Sequence, residues 1–135
     1  MTEEEVLETL DEDQCRSLIQ SRNIGRIAFT FEEGPEIFPI NYAVDGTTVV
    51  FRTAQDTRLQ TAVKHRVAFE VDDWDATTGV GWSVVVKGVA EEITRGIDPF
   101  ATALRSRPVI PLAPGAREAW IAVYPAEITG RRFRR

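Results

Sequence analysis

From Arg26 onward the chain is built of short runs in which apolar and polar positions alternate, the period of half-buried strands. Arg26 to Phe31 (RIAFTF) puts Ile27, Phe29 and Phe31 on one face. Arg66 to Val71 does the same with Val67, Phe69 and Val71. Val80 to Glu92 (VGWSVVVKGVAEE) is a long strand with Trp82, Val84, Val86 and Gly88 on one side and Ser83, Val85, Lys87 and Val89 on the other. Apolar residues on both sides imply burial by a barrel core and by a second subunit. Gly88 within it marks a bend or a close backbone approach. Glu118 to Val123 (EAWIAV) is a last strand ended by Tyr124-Pro125, and Glu127 to Phe133 forms a further short one.

Between these lies Glu36 to Arg58, two strands joined at Asp45-Gly46, a pair that suits a two-residue turn with positive φ at its centre. Closing the hairpin there sets Val44 against Thr47, Tyr42 against Val49, Ile40 against Phe51 and Phe38 against Thr53. The opposite face then carries Ile37, Pro39, Asn41, Ala43, Thr48, Val50 and Arg52. A cation, an amide and small apolar groups side by side suit a planar ligand with a phosphate tail. The alternative is a solvent-facing side with a chance Arg and Asn.

Helical spacing occurs three times. Asp11 can cap a helix running to about Ser21, with Cys15, Leu18 and Ile19 as its apolar stripe. Asp56 or Thr57 can cap a second, with Leu59, Ala62 and Val63 buried and His65 at its end. Asp98-Pro99 opens a third, packed through Phe100 and Leu104. Arg105 to Gly115 holds three prolines and reads as an irregular crossing whose Val109, Ile110 and Leu112 need burial. Asp72 to Gly79 reads as a polar loop without calcium-loop spacing. Residues 1–9 are acidic and expected to be disordered.

At 135 residues the chain is expected to be a single domain, 1–135, with room for a core. Its net charge of −5 argues against a general nucleic-acid binder. No apolar run approaches the roughly 20 residues of a membrane span, and no signal-peptide pattern opens the chain, so a cytoplasmic protein is expected. The single Cys15 and the single His65 exclude an intrachain disulfide and leave little for zinc. Cys15 lacks a base and an oxyanion site, so it reads as packing; His65 reads as a helix-end residue. With so few helices, the strand faces can be buried only by closing the sheet. The expected architecture is therefore mainly β, a small antiparallel barrel with short helices.

Candidate chemistry gathers after the hairpin. Arg52, Thr57 and Arg58 converge where a helix start would also offer free N–H groups, a sound phosphate site. No Ser/His/Asp set, paired-carboxylate site or metal cluster supplies a separate catalyst. No catalytic residue is therefore named.

Taken in order, PINYAVDG, VVFRTAQDTRL, VAFEVDD, GWSVVVKGVAEE and ITGRR resemble the pyridoxamine 5′-phosphate oxidase-like family of flavin-binding split barrels, and within it a bacterial flavin-nucleotide-binding branch. The resemblance runs from Leu10 to Phe133. It implies a six-stranded split barrel that dimerises and holds two flavins in clefts between subunits. It implies FMN, with a deazaflavin as the alternative and haem in some branches. By the same resemblance, Arg52, Thr53, Thr57 and Arg58 would hold the phosphate. Pro39, Ile40, Asn41 and Val50 would lie against the ring, and Trp82 and Ser83 would approach it from the partner subunit. The function implied is a flavin-dependent oxidoreductase acting on a small molecule; the alternatives are a flavin-binding or flavin-sensing module without turnover and a structural dimer with an empty site. The only His lies in a helix, and the terminal segment carrying substrate-contacting Arg and His residues in pyridoxamine-phosphate oxidases is not matched, so vitamin B6 oxidation is not expected. Arg131, Arg132, Arg134 and Arg135 read as a solvated tail, the alternative being contact with a cofactor or an acidic partner.

Overall fold

The run from Gly34 to Asp45 is where the sheet turns into a barrel. In the computed structural model, which describes residues 6–55, 57–110 and 118–135, this run is two strands meeting at Tyr42. β3 (Gly34–Asn41) pairs antiparallel with β2 (Ile24–Phe31), and β4 (Ala43–Asp45) pairs with β5 (Thr48–Thr53). The remaining strands are β1 (Val6–Thr9), β6 (Arg66–Asp75), β7 (Val80–Glu92) and β8 (Ala119–Arg134). The sheet runs β3-β2-β6-β7-β8-β5-β4, with β1 added beside β8. Its two ends are thus one continuous stretch of chain, which curls the sheet into a split barrel. Seven strands lie on this path where six were expected, because β4 is separate from β3; β1 makes an eighth.

Tyr42 holds the corner. Its hydroxyl donates to the Ile19 carbonyl at 2.6 Å, its N–H donates to the Asn23 carbonyl at 2.9 Å, and its ring stands edge-on to Phe69 at 4.7 Å. The hairpin is consequently short. Pairing stops after Ala43↔Val50, and Ile40 and Phe38 face Gly25 and Ile27 rather than Phe51 and Thr53. The turn is also displaced: Asp45 pairs with Thr48, so Gly46, with φ +63°, takes the first central position. A slip of two residues leaves every side chain on its expected face.

Three other expectations change. Asp72–Asp75 extend β6 through pairs with Ser83, Trp82, Gly81 and Val80, because the ladder satisfies their backbone whatever the side chains. Tyr124-Pro125 does not end a strand. β8 runs through it by a bulge opposite Lys87 and Gly88, where the missing proline N–H is tolerated. Val6–Thr9, expected to be disordered, form β1, where Glu8 and Thr9 face Arg132 and Arg131 of β8; Arg132 ion-pairs with Glu8 at 3.0 Å, so the Arg-rich end is strand and not a solvated tail.

The barrel interior holds Ile27, Phe29, Val49, Phe51, Phe69, Val71, Trp82, Val84 and Val86, closed at one end by Cys15 and Ile19 of α1 (Glu12–Gln20). Each such side chain contributes about 1.5–3 kcal/mol by leaving water. Asp11 caps α1 in a reciprocal box with Gln14. A second cluster lies outside the barrel, where α2 (Pro99–Arg105) packs Ala101 and Leu104, with Val109, onto Val50 and Ala122. Asp98 caps α2 through a 3.0 Å bond from the Ala101 N–H. Ile110 is exposed, and Leu112 lies outside the described residues. No described helix is long and apolar enough to cross a membrane.

Candidate functional site

The segment after β5 makes a compact polar turn, not an α-helix. Leu59–Ala62 is a four-residue 3₁₀ segment. It ends because Val63 bridges to Ala90 and Lys64, at φ +70°, donates to the Ala90 carbonyl. His65 therefore precedes β6 outside any helix, and Asp56 lies outside the described residues. The phosphate reading loses its helix terminus and keeps its side chains. The Thr57 hydroxyl donates to the Ala54 carbonyl at 3.0 Å and accepts from the Gln60 N–H at 3.3 Å. Its proton is thus used, so the buried Thr53 hydroxyl donates to it across 3.2 Å. Arg58 reaches back to β3, bonding Glu36 at 2.6 Å with its guanidinium 4.8 Å above the Phe31 ring.

Arg52 is elsewhere. It stacks 5.1 Å above Trp120, its cross-strand partner on β8, and donates to the Val109 carbonyl at 3.4 Å. Arg52 and the fully buried Val50 share the face covered by α2 and Val109, away from the outward side of β3. The bend at Tyr42 is the cause: it turns β3 away from β5, so the two halves of the expected ligand face diverge. Pro39 and Asn41 remain on the outer side of β3, while Ile40 points into the core. Trp82 and Ser83 also part. Trp82 is buried in the barrel with Arg22 stacked 5.8 Å from its ring, and Ser83 faces outward between Asp72 and Arg131.

The outer face of β3-β2-β6-β7-β8 carries two residue rows fixed by register. One is Pro39, Arg26, Glu70, Val85 and Thr129; the next is Ile37, Ala28, Ala68, Lys87 and Glu127. In the first row Arg26 bonds Glu70 at 2.8 Å and Asp72 at 3.4 Å. Burial, and then the neighbouring Asp72, push the Glu70 carboxyl up to about 7 against the opposing pull of Arg26. In the second row the small side chains of Ala28 and Ala68 floor a groove of about 350 Å³, rimmed by Thr30, Arg66 and Lys87. That volume is within the range of small-molecule sites. Glu36 stands opposite the core residue Phe29 while Ile37 stands opposite Ala28, so the Glu36–Arg58 pair, over Phe31, lies on the inner side of β3 and the groove on its outer side.

These groove residues were not among those expected, yet the chain carries a signal for them. Arg26-Ile27-Ala28-Phe29 and Arg66-Val67-Ala68-Phe69 are nearly the same tetrad, and the ladder sets Ala28 directly opposite Ala68. Two small residues in matched alternating strands mark a shallow place on a sheet.

A flavin needs a flat wall and an anion cradle. The alanine floor and the outer face of β3 offer the first; Thr53, Thr57 and Arg58 offer the second. The donor set fits the group, with Glu36 the anion that pairs with Arg58 among the described residues. Cys15 offers no competing chemistry: it is buried against Gly130, and burial, then Asp11 and Glu12, raise its thiol above the ordinary range. Among the described residues no group of His, Cys, Asp and Glu is placed to hold a metal.

Fold and surface together define an antiparallel split barrel of the flavin-binding type. The chain belongs to the pyridoxamine 5′-phosphate oxidase family, whose model matches residues 11–132. The structure of the FAD binding protein from Mycobacterium smegmatis is similar at a TM-score of 0.78 and 41% identity, covering 94% of this chain and 98% of that one. An uncharacterized protein of Mycobacterium tuberculosis is 36% identical over 135 residues, 96% of this chain and 86% of its own length. A FAD-binding protein from Mesorhizobium loti shares the fold at a TM-score of 0.77 with 19% identity, over 97% of this chain and 99% of that one.

Proposed function

We propose that this chain binds a flavin nucleotide and serves as an oxidoreductase for a small molecule, working as a homodimer. The observation that carries the reading is the pair of features on either side of the terminal strand β3, the alanine-floored groove outside and the Thr53, Thr57 and Arg58 cluster with Glu36 on the inner side. Arg58 and the two threonine hydroxyls take the phosphate. Ala28 and Ala68 lie under the ring, with Pro39 and Asn41 at its edge. Ile40 and Trp82 stiffen the wall from behind, while Val50 packs under α2 and Arg52 ties β5 to the segment at Val109. Ser83, with the outer face of β7, meets the second copy. FMN, FAD and a deazaflavin all present the ring and phosphate this surface suits, and a bound flavin supplies the hydride chemistry.

The homodimer reading is supported by the outer face. Val85 and Val89 face outward on either side of Lys87, which continues the row of the exposed Ile37, Ala28 and Ala68, so apolar and charged groups alternate across this face. Purification followed by release and chromatography of any yellow chromophore tests cofactor binding. Bleaching by a nicotinamide nucleotide, with substrate-dependent recovery of colour, supports the oxidoreductase. Binding without any such bleaching would turn the reading into a flavin-binding module without turnover.

A further inference from the structure

The alanine-floored groove has a donor set of its own. Lys87 stands directly opposite Ala68, Arg66 precedes Ala68 by two positions on β6, and Thr30 follows Ala28 by two on β2. All three line the groove, and all three are exposed. Among the described residues, none of these side chains has a hydrogen-bond or ion-pair partner. Glu127, across from Lys87 on β8, makes no ion pair with it, and Glu70, in the neighbouring row, is held by Arg26. By contrast Arg22, Arg26, Arg58, Arg107 and Arg132 each have a carboxylate. Two cations and a hydroxyl thus meet, unneutralised, at one shallow apolar floor in a chain of net charge −5.

Such a site selects by charge and by donor count. At its floor Ala28 is paired with Ile37 and Ala68, and Ala68 with Ala28 and Lys87, so the backbone N–H groups are engaged in the ladders. What remains is the planar fork of Arg66, the ammonium of Lys87 and the Thr30 hydroxyl. A carboxylate, with two oxygens and one charge, is matched by that set. A phosphate monoester, with three acceptor oxygens and about −1.5 to −2 charges, leaves more of its demand to water. The apolar floor beside the cations suits a planar hydrocarbon body. Lys87 also lies on the outer face of β7 proposed to meet a second copy, where an unpaired cation is costly and a bound anion offsets it. We propose that Thr30, Arg66 and Lys87 form a carboxylate subsite, and that the small molecule acted on is a planar organic acid whose body extends from that subsite toward the alanine floor. Its contact with a flavin rests on the reading that the ring lies at that floor.

The test is calorimetric titration of the protein, as purified and after loading with FMN, with benzoate, with its neutral isostere benzamide and with inorganic phosphate. Benzoate is expected to bind at least about tenfold tighter than either of the others, and to perturb the visible spectrum of the loaded flavin. Arg66→Ala and Lys87→Ala should each weaken benzoate by about tenfold, while flavin affinity stays within about twofold and the melting temperature is unchanged. Lys87→Arg, which keeps the charge, should stay within about threefold of wild type. Equal affinity for benzoate and benzamide, tighter binding of phosphate than of benzoate, or benzoate binding that neither alanine variant weakens overturns the inference, as does a loaded flavin whose spectrum benzoate leaves unchanged. So does a loss of flavin affinity in both variants, which would give the two cations to the flavin's own phosphate. A protein that binds flavin and no benzoate overturns the inference and leaves the flavin reading standing. One that binds benzoate through Arg66 and Lys87 but takes up no flavin upholds the subsite and ends the oxidoreductase reading.

Discussion

Ala28 and Ala68 stand directly opposite each other on β2 and β6, and the groove exists because neither reaches beyond its Cβ. Ala68→Leu places three further carbons in a shallow, partly exposed site. Folding stability should change by less than about 1 kcal/mol, as for a surface substitution that meets no packed wall. Flavin affinity should fall by at least about tenfold, because the added volume occupies the ring's place. Thermal melting and flavin titration on the same sample separate the two effects. Unchanged affinity would move the ring off this groove.

Gly88 depends on backbone contact rather than on a ligand. A Cβ added there would lie 1.9 Å from the Tyr124 carbonyl oxygen, on the strand that bulges past it. Gly88→Ala should cost at least about 2 kcal/mol, since a backbone atom cannot step aside as a flexible side chain can. Gly34, where nothing lies within 4 Å, is the control. Gly34→Ala should be neutral or slightly stabilising. Denaturant midpoints of the two variants are the measurement, and equal midpoints would contradict the account.

Much of the barrel can be read along the chain. Val80–Glu92 has the bounds its run of strand-forming residues predicts, and Asp11 and Asp98-Pro99 mark helix starts by chemistry that acts within one turn. Features set by distant partners are not legible in this way. Nothing local says that the chain bends at Tyr42; the bend comes from Ile19, Asn23 and Phe69, which lie far away in sequence. That one corner decides the site. It keeps Pro39 and Asn41 on the outer surface and sends Val50 beneath α2 and Arg52 against Trp120 and Val109. The same holds for Asp72–Asp75, whose polarity suggests a loop while the partner ladder makes them strand. Arg58 stands out in the sequence as a candidate for an anion, but its partner Glu36 lies 22 positions earlier and belongs to no motif.

Glu70 gives a dependence on pH with a defined sign. Its carboxyl is raised from 4.5 to about 7, chiefly by burial and next by Asp72, with Arg26 opposing. Between those values the folded chain holds a proton that the unfolded chain has released. Stability from this group is therefore fully present below the ordinary value, falls as pH rises through the window, and is gone above about 7. Glu70→Gln removes the titration. The difference in melting temperature between variant and wild type should shift in the variant's favour as pH rises from about 5 to about 8. A difference that stays constant would show that Glu70 titrates as an ordinary surface acid.

The central claim is that Arg58, with the Thr53 and Thr57 hydroxyls, holds a flavin's phosphate. The direct measurement is flavin affinity of Arg58→Ala against wild type, by calorimetry or fluorescence, with melting temperature as the folding control. Losing one charge-assisted contact should weaken binding by about 1.5–3 kcal/mol, or roughly ten- to 150-fold, while the barrel remains folded. An Arg58→Ala protein that binds flavin as tightly as wild type would contradict the account and place the phosphate elsewhere.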